Sequence, residues 1–322
     1  METSIDSVRI FDENDVLSGT LAAMRPEARK RREHWILELE KLSGSFGDDY
    51  NKLSNELRAE IKKDGYQALL DHLRVCGALP EKYGHDSSAE KLYSKYTDAV
   101  VSESLVGLGL KSTVIAARAD AADVQASAQD YSLVADAKAF RLSRTAKNQK
   151  DFKIQAMDGW RGELDYAVVV CPIYQLPGRT SQIYQQAVAR NVCILSYSHL
   201  AALVALAMSK NHKTAETGLH NVLKAVATLH PGKNASDYWV GINRALVSAL
   251  GTKHDLWITE KKESLEGLAL VKQESLKYLR SERNRLLRLS HQEAIDELLN
   301  ATGLSSRIRQ VEQIEHGKLL EI

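Results

Sequence analysis

The sequence predicts an α/β (α+β) protein: a mixed central sheet flanked by helices, with helical N- and C-terminal regions. Three observations predict it. Two continuous apolar runs, Tyr166–Cys171 and Val192–Tyr197, have the texture of strands buried on both faces. The stretch from Lys111 to Met208 alternates extended and helical patterns. On either side of it, apolar residues recur at helical spacing.

In chain order, Ala28–Leu42 places Trp35, Ile36, Leu39 and Leu42 near one helical face, and Leu53, Leu57, Ile61 and Leu69–Leu73 continue the pattern. Pro80, Gly84 and Ser87-Ser88 mark a loop, after which a helix runs from about Glu90 to Leu108. Val114–Ala117 reads as a strand, Asp123–Ser127 as a second, Gln129–Ser132 as a turn, and Leu133–Phe140 as a third strand. Asn148–Arg161 reads as one helix with Phe152, Ile154, Met157 and Trp160 on or near one face. The strand Tyr166–Cys171 stops at Pro172. A short helix, Ser181–Arg190, leads to the strand Val192–Tyr197, and Ser198 is placed to cap a helix His199–Met208. From about residue 210 the chain is helical, with a long amphipathic segment Leu265–Leu289. Ser290 and Glu293 then form a capping-box pattern for a last helix that Gly303 closes. This gives a helical region 1–88, a core region 89–210 and a helical region 211–322, read together as one compact unit.

Composition narrows the function classes. Lys and Arg number 43 against 42 Asp and Glu, so any affinity for nucleic acid must come from a local cluster of charge. Three scattered cysteines, Cys76, Cys171 and Cys193, make neither a disulfide framework nor a Cys-x-x-Cys zinc site, and they fit a reducing cytoplasm. The first residues are acidic and polar, unlike a signal peptide. The longest apolar stretch, Leu200–Met208, is about half the length of a membrane span.

Chemistry first shows at Asp136-Ala137-Lys138. In a strand, residues i and i+2 point the same way, so Asp136 and Lys138 share a face. Asp123 lies on the segment read as the partner strand, and a hairpin closing at 129–132 brings it to the same sheet edge. Two carboxylates there, with a nearby backbone carbonyl and waters, would hold Mg²⁺, and the lysine would orient or help deprotonate a water for attack on a phosphodiester. The triplet alone says little. Acid-x-Lys also occurs at Glu60/Lys62, Asp151/Lys153 and Glu260/Lys262, all in predicted helices where such a pair does not share a face. An ordinary ion pair on a solvated strand edge is the plainer reading of the spacing. What tips the balance is a basic residue at every third position: Lys138, Arg141, Arg144, Lys147, Lys150 and Lys153, with Asp151 the one acid among them. That charge suits a polyanionic backbone, and Asn148 and Gln149 are side chains able to read adenine.

The stretch Val134-Ala135-Asp136-Ala137-Lys138-Ala139-Phe140-Arg141-Leu142-Ser143-Arg144-Thr145-Ala146-Lys147-Asn148-Gln149-Lys150-Asp151-Phe152-Lys153 resembles the heart of the HindIII family of type II restriction endonucleases. The likeness extends thinly through Glu90-Lys91-Leu92, Trp160, Asp165-Tyr166-Ala167, Ser181-Gln182-Ile183 and His199-Leu200, about a third of the chain. The resemblance implies a restriction-endonuclease-like PD-(D/E)xK core in the 89–210 region, Mg²⁺ dependence, a homodimer, and cleavage of double-stranded DNA at the palindrome AAGCTT. It implies neither a nucleotide cofactor nor a membrane. Carried over, Asp123 matches the first metal acid, Asp136 the second, and Lys138 the lysine. Arg141, Arg144, Lys147, Asn148, Gln149 and Lys150 become the DNA-binding set. The motif's proline is absent, since Ala122 precedes Asp123, and Asp120 and Asp130 are alternatives for the first acid. Glu90 and Glu103 are candidates for a third acidic ligand. Two other functions share these features: a nicking or repair nuclease, and a DNA-binding protein on a catalytically dead scaffold.

Other features are weighed the plainer way. The basic cluster Arg25–Arg32 reads as a solvated helix start, and Arg280, Arg283, Arg285 and Arg288 as decoration of a helix whose leucines pack within the chain. Ten histidines without a His-x-x-x-His pair read as structural. Ser196 and His199 lack the Gly-x-Ser-x-Gly turn of a hydrolase, and no Gly-rich phosphate loop implies ATP.

Overall fold

The computed structural model describes residues 25–41, 43, 45–115, 121–144 and 149–313. They divide into two units, Met1–Ser275 and Leu276–Ile322. The first unit carries a five-stranded sheet in the order β1 (Lys111–Val114), β2 (Val124–Ser127), β3 (Ser132–Ala137), β4 (Tyr166–Cys171) and β5 (Val192–Ser196). β1, β2 and β3 form an antiparallel meander, while β3, β4 and β5 run parallel. The switch follows from the connections. A tight turn joins β2 to β3 in the meander, and parallel neighbours need helical crossovers. These are supplied after β3 by α5 (Gln149–Phe152) and α6 (Ile154–Arg161), and after β4 by α7 (Gln182–Ala189).

Every residue of β5 is buried, as is all of β4 after Tyr166, which shows both faces of these strands covered. α4 (Ser88–Gly107) packs on β1, β2 and β3, and α6 on β3, β4 and β5. α8 (Tyr197–Ser209), apolar nearly all round, is buried beside α4 and α3 (Tyr66–Val75). Among the described residues no helix is long and apolar enough to cross a membrane.

The structure corrects several sequence readings. The strand expected to reach Phe140 ends at Ala137, although Lys138 N still donates to Val170 O at 2.8 Å. The helix expected over 148–161 is broken at Lys153, whose φ of +46° is left-handed and strained for a residue with a Cβ. Ser196, not Ser198, caps α8, in a capping box with His199. Ala116-Ala117, expected in the first strand, lie outside the described residues.

The basic cluster Arg25–Arg32 is solvated only in part: Arg29 and Lys30 are exposed, while Arg25, Arg31 and Arg32 are engaged. In α1 (Pro26–Glu38), Arg31 reaches Glu60 (2.6 Å), Asp71 (2.6 Å) and Asp64 (2.8 Å), and Arg25 also pairs with Asp71. Arg32 is 6 % exposed and donates to the carbonyls of Val75 and Ala78, to the Tyr93 hydroxyl and to Glu274. The acids come from α2 (Phe46–Asp64), from α3, and from α11 (Asp255–Leu286), so α1 is fastened by charge as much as by Trp35.

The second unit holds the end of α11, then α12 (His291–Thr302) and α13 (Leu304–Glu312). The predicted Ser290–Glu293 capping box is present, and Gly303, at φ +63°, ends α12. A further helix follows, so α12 is not the last. The leucines expected to pack within the chain, Leu276, Leu279, Leu286 and Leu287, are exposed.

Candidate active site

The hairpin register brings the first two acids together. Val124 pairs with Ala135, so one step further along the antiparallel ladder Asp123 stands opposite Asp136. Ile115 N donates to Asp123 O at 2.8 Å and holds that step in place. The two carboxylates are close enough for each to shift the other's affinity for protons. Lys138, two residues past Asp136 and on the same side, sets its ammonium against Asp136 Oδ2 as an ion pair. The Tyr197 hydroxyl donates to Lys138 O at 3.0 Å and fixes the backbone there. Gly77 is needed beside it, because a Cβ at that position would stand 2.8 Å from the Tyr197 ring.

Asp136 is 2 % and Lys138 9 % exposed. Burial pushes the Asp136 carboxyl up to about 6, against the pull of Lys138 and with the help of the neighbouring Asp123. Burial also raises Asp123, but the hydrogen bond with Asp136 and the cation of Lys95 outweigh it and hold that carboxyl below its usual value. Asp136 Oδ2 is buried with the Lys138 ammonium as its partner.

These residues form one wall of an open cleft of about 420 Å³. Its acids are Asp98, Asp123 and Asp136, and its cations are Lys91, Lys95, Lys138 and Lys153. Lys153, at the end of the basic run, lies over the Trp160 ring at 5.2 Å. Acids beneath a lysine rim match a phosphodiester. The rim attracts the anion, and the floor offers hard oxygen donors.

Lys95 and Asp98, from α4, were not singled out in the sequence. Lys95 Nζ is 2.9 Å from Asp123 Oδ1 and 3.1 Å from Asp98 Oδ2. Burial and the nearby Asp123 push the Asp98 carboxyl well above its ordinary range. A signal for Asp98 existed: a carboxylate in the apolar run Ala99-Val100-Val101, on the helix face that meets the sheet.

Glu90 and Glu103 do not line the cleft. Glu90 accepts from Arg141 at 2.8 Å and from Asp86 N, and Glu103 pairs with Arg58. Asp130 sits at the turn end of the hairpin, 4.0 Å from Lys213, and Asp120 lies outside the described residues. Among the described residues no three acids or histidines make a ready metal cage, since Lys95 stands between Asp98 and Asp123.

The expected DNA-binding set divides. Arg141 is turned into the protein, donating to Glu90 and to the carbonyls of Tyr83 and Gly84. Arg144 bonds Asp151 at 2.5 Å and lies over the Phe140 ring. Lys147 and Asn148 lie outside the described residues, as do the side chains of Gln149 and Lys150 in α5.

Ser196 and His199 are accounted for by capping. His199 Nδ1 takes the Ser196 hydroxyl at 2.5 Å, and Nε2 meets Asn243 Oδ1 at 2.8 Å. Burial lowers His199 to about 4, so it is neutral.

A family model described as "HindIII restriction endonuclease" matches residues 33–315. Type II restriction enzyme HindIII of Haemophilus influenzae (strain ATCC 51907 / DSM 11121 / KW20 / Rd) is 32 % identical over 275 residues, covering 84 % of this chain and 91 % of that protein.

Proposed function

The chain belongs to the HindIII restriction endonuclease family, and from that premise we propose that it is a homodimeric, Mg²⁺-dependent enzyme that cuts both strands of DNA at AAGCTT. Membership makes it a site-specific deoxyribonuclease of a restriction–modification system. The metal, the dimer, the target sequence and the site residues are the proposal.

The observation that carries it is the opposition of Asp123 and Asp136 across a hairpin, with the Lys138 ammonium on the second acid. The donor set fits a hard divalent cation. Two carboxylates face each other across the hairpin, and burial raises the Asp136 carboxyl despite the Lys138 ammonium on its Oδ2, so a divalent ion there would offset like charge that the protein leaves in place. Asp123 and Asp136 would hold Mg²⁺, which when bound supplies a polarised phosphate and a stabilised leaving oxygen. Lys138, placed beside Asp136, orients the attacking water and offsets charge on the phosphoryl oxygens. Lys91 and Lys153 at the cleft rim hold the sugar–phosphate chain. A twofold dimer sets one such cleft on each strand, which is the simplest reader of a palindrome.

The test is a digest of a long DNA with Mg²⁺, followed by sequencing of the ends. Discrete fragments ending within AAGCTT, lost on chelation and restored by Mg²⁺, are the expected result. Discrete fragments with other ends would replace the target sequence. Nicks without double-strand breaks, or binding without cutting, would replace the proposal.

A further inference from the structure

We propose that Lys95 is a built-in counter-cation for the metal site, held by Asp98 so that its ammonium occupies Asp123 until a divalent ion displaces it. The inference rests on the reading of Asp123 and Asp136 as metal ligands and adds a group that competes for one of them. Lys95 is a positioning residue in this scheme and acts through Asp123 rather than on the reacting atoms.

The argument is one of place and charge. Lys95 Nζ bridges Asp123 Oδ1 at 2.9 Å and Asp98 Oδ2 at 3.1 Å. Asp98 lies three residues along the same helix, 2 % exposed, and has no solvent to turn to. It therefore anchors the lysine from behind, and the lysine's remaining reach falls on Asp123. Helix and hairpin are fixed to each other by the packing of α4 on β1, β2 and β3, so the contact is built in rather than adopted by a loose side chain. Two ammonium groups, Lys95 and Lys138, thus stand against the two carboxylates that would take the metal. A divalent ion entering must overcome that neutralisation. Lys95 thereby weakens metal binding in the absence of DNA, and a phosphate arriving in the cleft offers the displaced ammonium a new partner.

Mn²⁺ alone, titrated calorimetrically into the full-length protein, reads this directly. Lys95→Met should bind Mn²⁺ about tenfold more tightly than the parent, as expected for removal of one unit charge at a few ångströms in a half-buried site. Lys95→Arg should stay near the parent. Asp98→Asn, which leaves Lys95 to Asp123 alone, should bind more weakly, and should lose most of that effect when Lys95 is already Met. If Lys95→Met does not fold, Lys95→Gln carries the same expectation. Equal or weaker Mn²⁺ binding in the folded, uncharged variant overturns the inference. So does an Asp98→Asn effect of the same size with and without Lys95, which would make Asp98 a ligand in its own right. Asp136→Asn separates the two levels of the argument. If it leaves Mn²⁺ binding intact, the metal site itself is misplaced and the inference falls with it. If it abolishes binding while Lys95→Met changes nothing, only the role of Lys95 fails.

Discussion

Two regions of the first unit bury charge, and they do so to opposite ends. Beneath α1, Arg32 is enclosed with every neighbour turned toward it: two carbonyls, a hydroxyl and Glu274, with Arg31 and Arg25 beside it on Glu60, Asp64 and Asp71. At the hairpin edge, Asp136 is as deeply buried, but its one cation, the Lys138 ammonium on Oδ2, does not offset burial, and its other neighbour is a second acid, Asp123. Buried charge is tolerated when its partners are complete. Completeness in the first region makes structure. Incompleteness in the second leaves a place for something to arrive.

The largest effects should therefore separate cleanly between the two. Asp136→Asn and Lys138→Ala should each lower DNA cleavage by at least about 10²–10³-fold, the scale for loss of one preorganised charged group. The Asp136→Asn protein should melt no lower than the parent, because burial already disfavours its ionised carboxyl. Sequence-specific DNA binding in Ca²⁺ should survive. Cleavage at the parental rate by Asp136→Asn would erase the contrast. Arg32→Ala should do the reverse: a loss of about 3–5 kcal/mol of stability in denaturant unfolding, as when one partner of a buried pair is removed, with cleavage per folded molecule unchanged. A melting point equal to the parent's would show that the network beneath α1 is not structural.

The two regions were also unequally legible in the sequence. Asp136 and Lys138 could be found because a strand repeats every two residues, and the pairing of Asp123 followed from the turn at 129–132. Lys95 and Asp98 escaped because a lysine and an aspartate three apart on a helix read as a surface ion pair. Only the sheet packed against that face makes them part of the cleft. The basic run is less simple than its period of three suggests: among its described side chains, Arg141 turns inward to Glu90 while Lys138 and Lys153 reach the cleft. Arg32 was read as solvated because its partners lie 43, 46, 61 and 242 residues away, beyond any local pattern. The mixed sheet was recovered because its strands are short apolar runs bounded by turns, a signal that needs no knowledge of distant partners.

The smallest effect is the most discriminating, since the two regions should answer acid with opposite signs. Burial alone would raise the Glu60 carboxyl, but His72, Arg31 and Trp35 outweigh it and bring it down to about 2. An acid held below its free value of 4.5 takes up its proton more readily unfolded than folded. Its stabilising contribution is whole above about pH 4.5 and fades as pH falls toward 2. Glu60→Gln should then lie below the parent in stability at pH 6, with the gap closing as the pH is lowered through that window. Asp136 is held above its free value of 3.8, so the folded state binds its proton more readily. The parent should lose stability relative to Asp136→Asn as pH rises from about 4 to 6, and the difference should be flat above. Urea unfolding of both variants and the parent at pH steps from 3 to 7 measures the two slopes together. Slopes of the same sign would mean that the hairpin acids are as fully partnered as those beneath α1, and the distinction between a satisfied and an unsatisfied buried charge would lose its basis here.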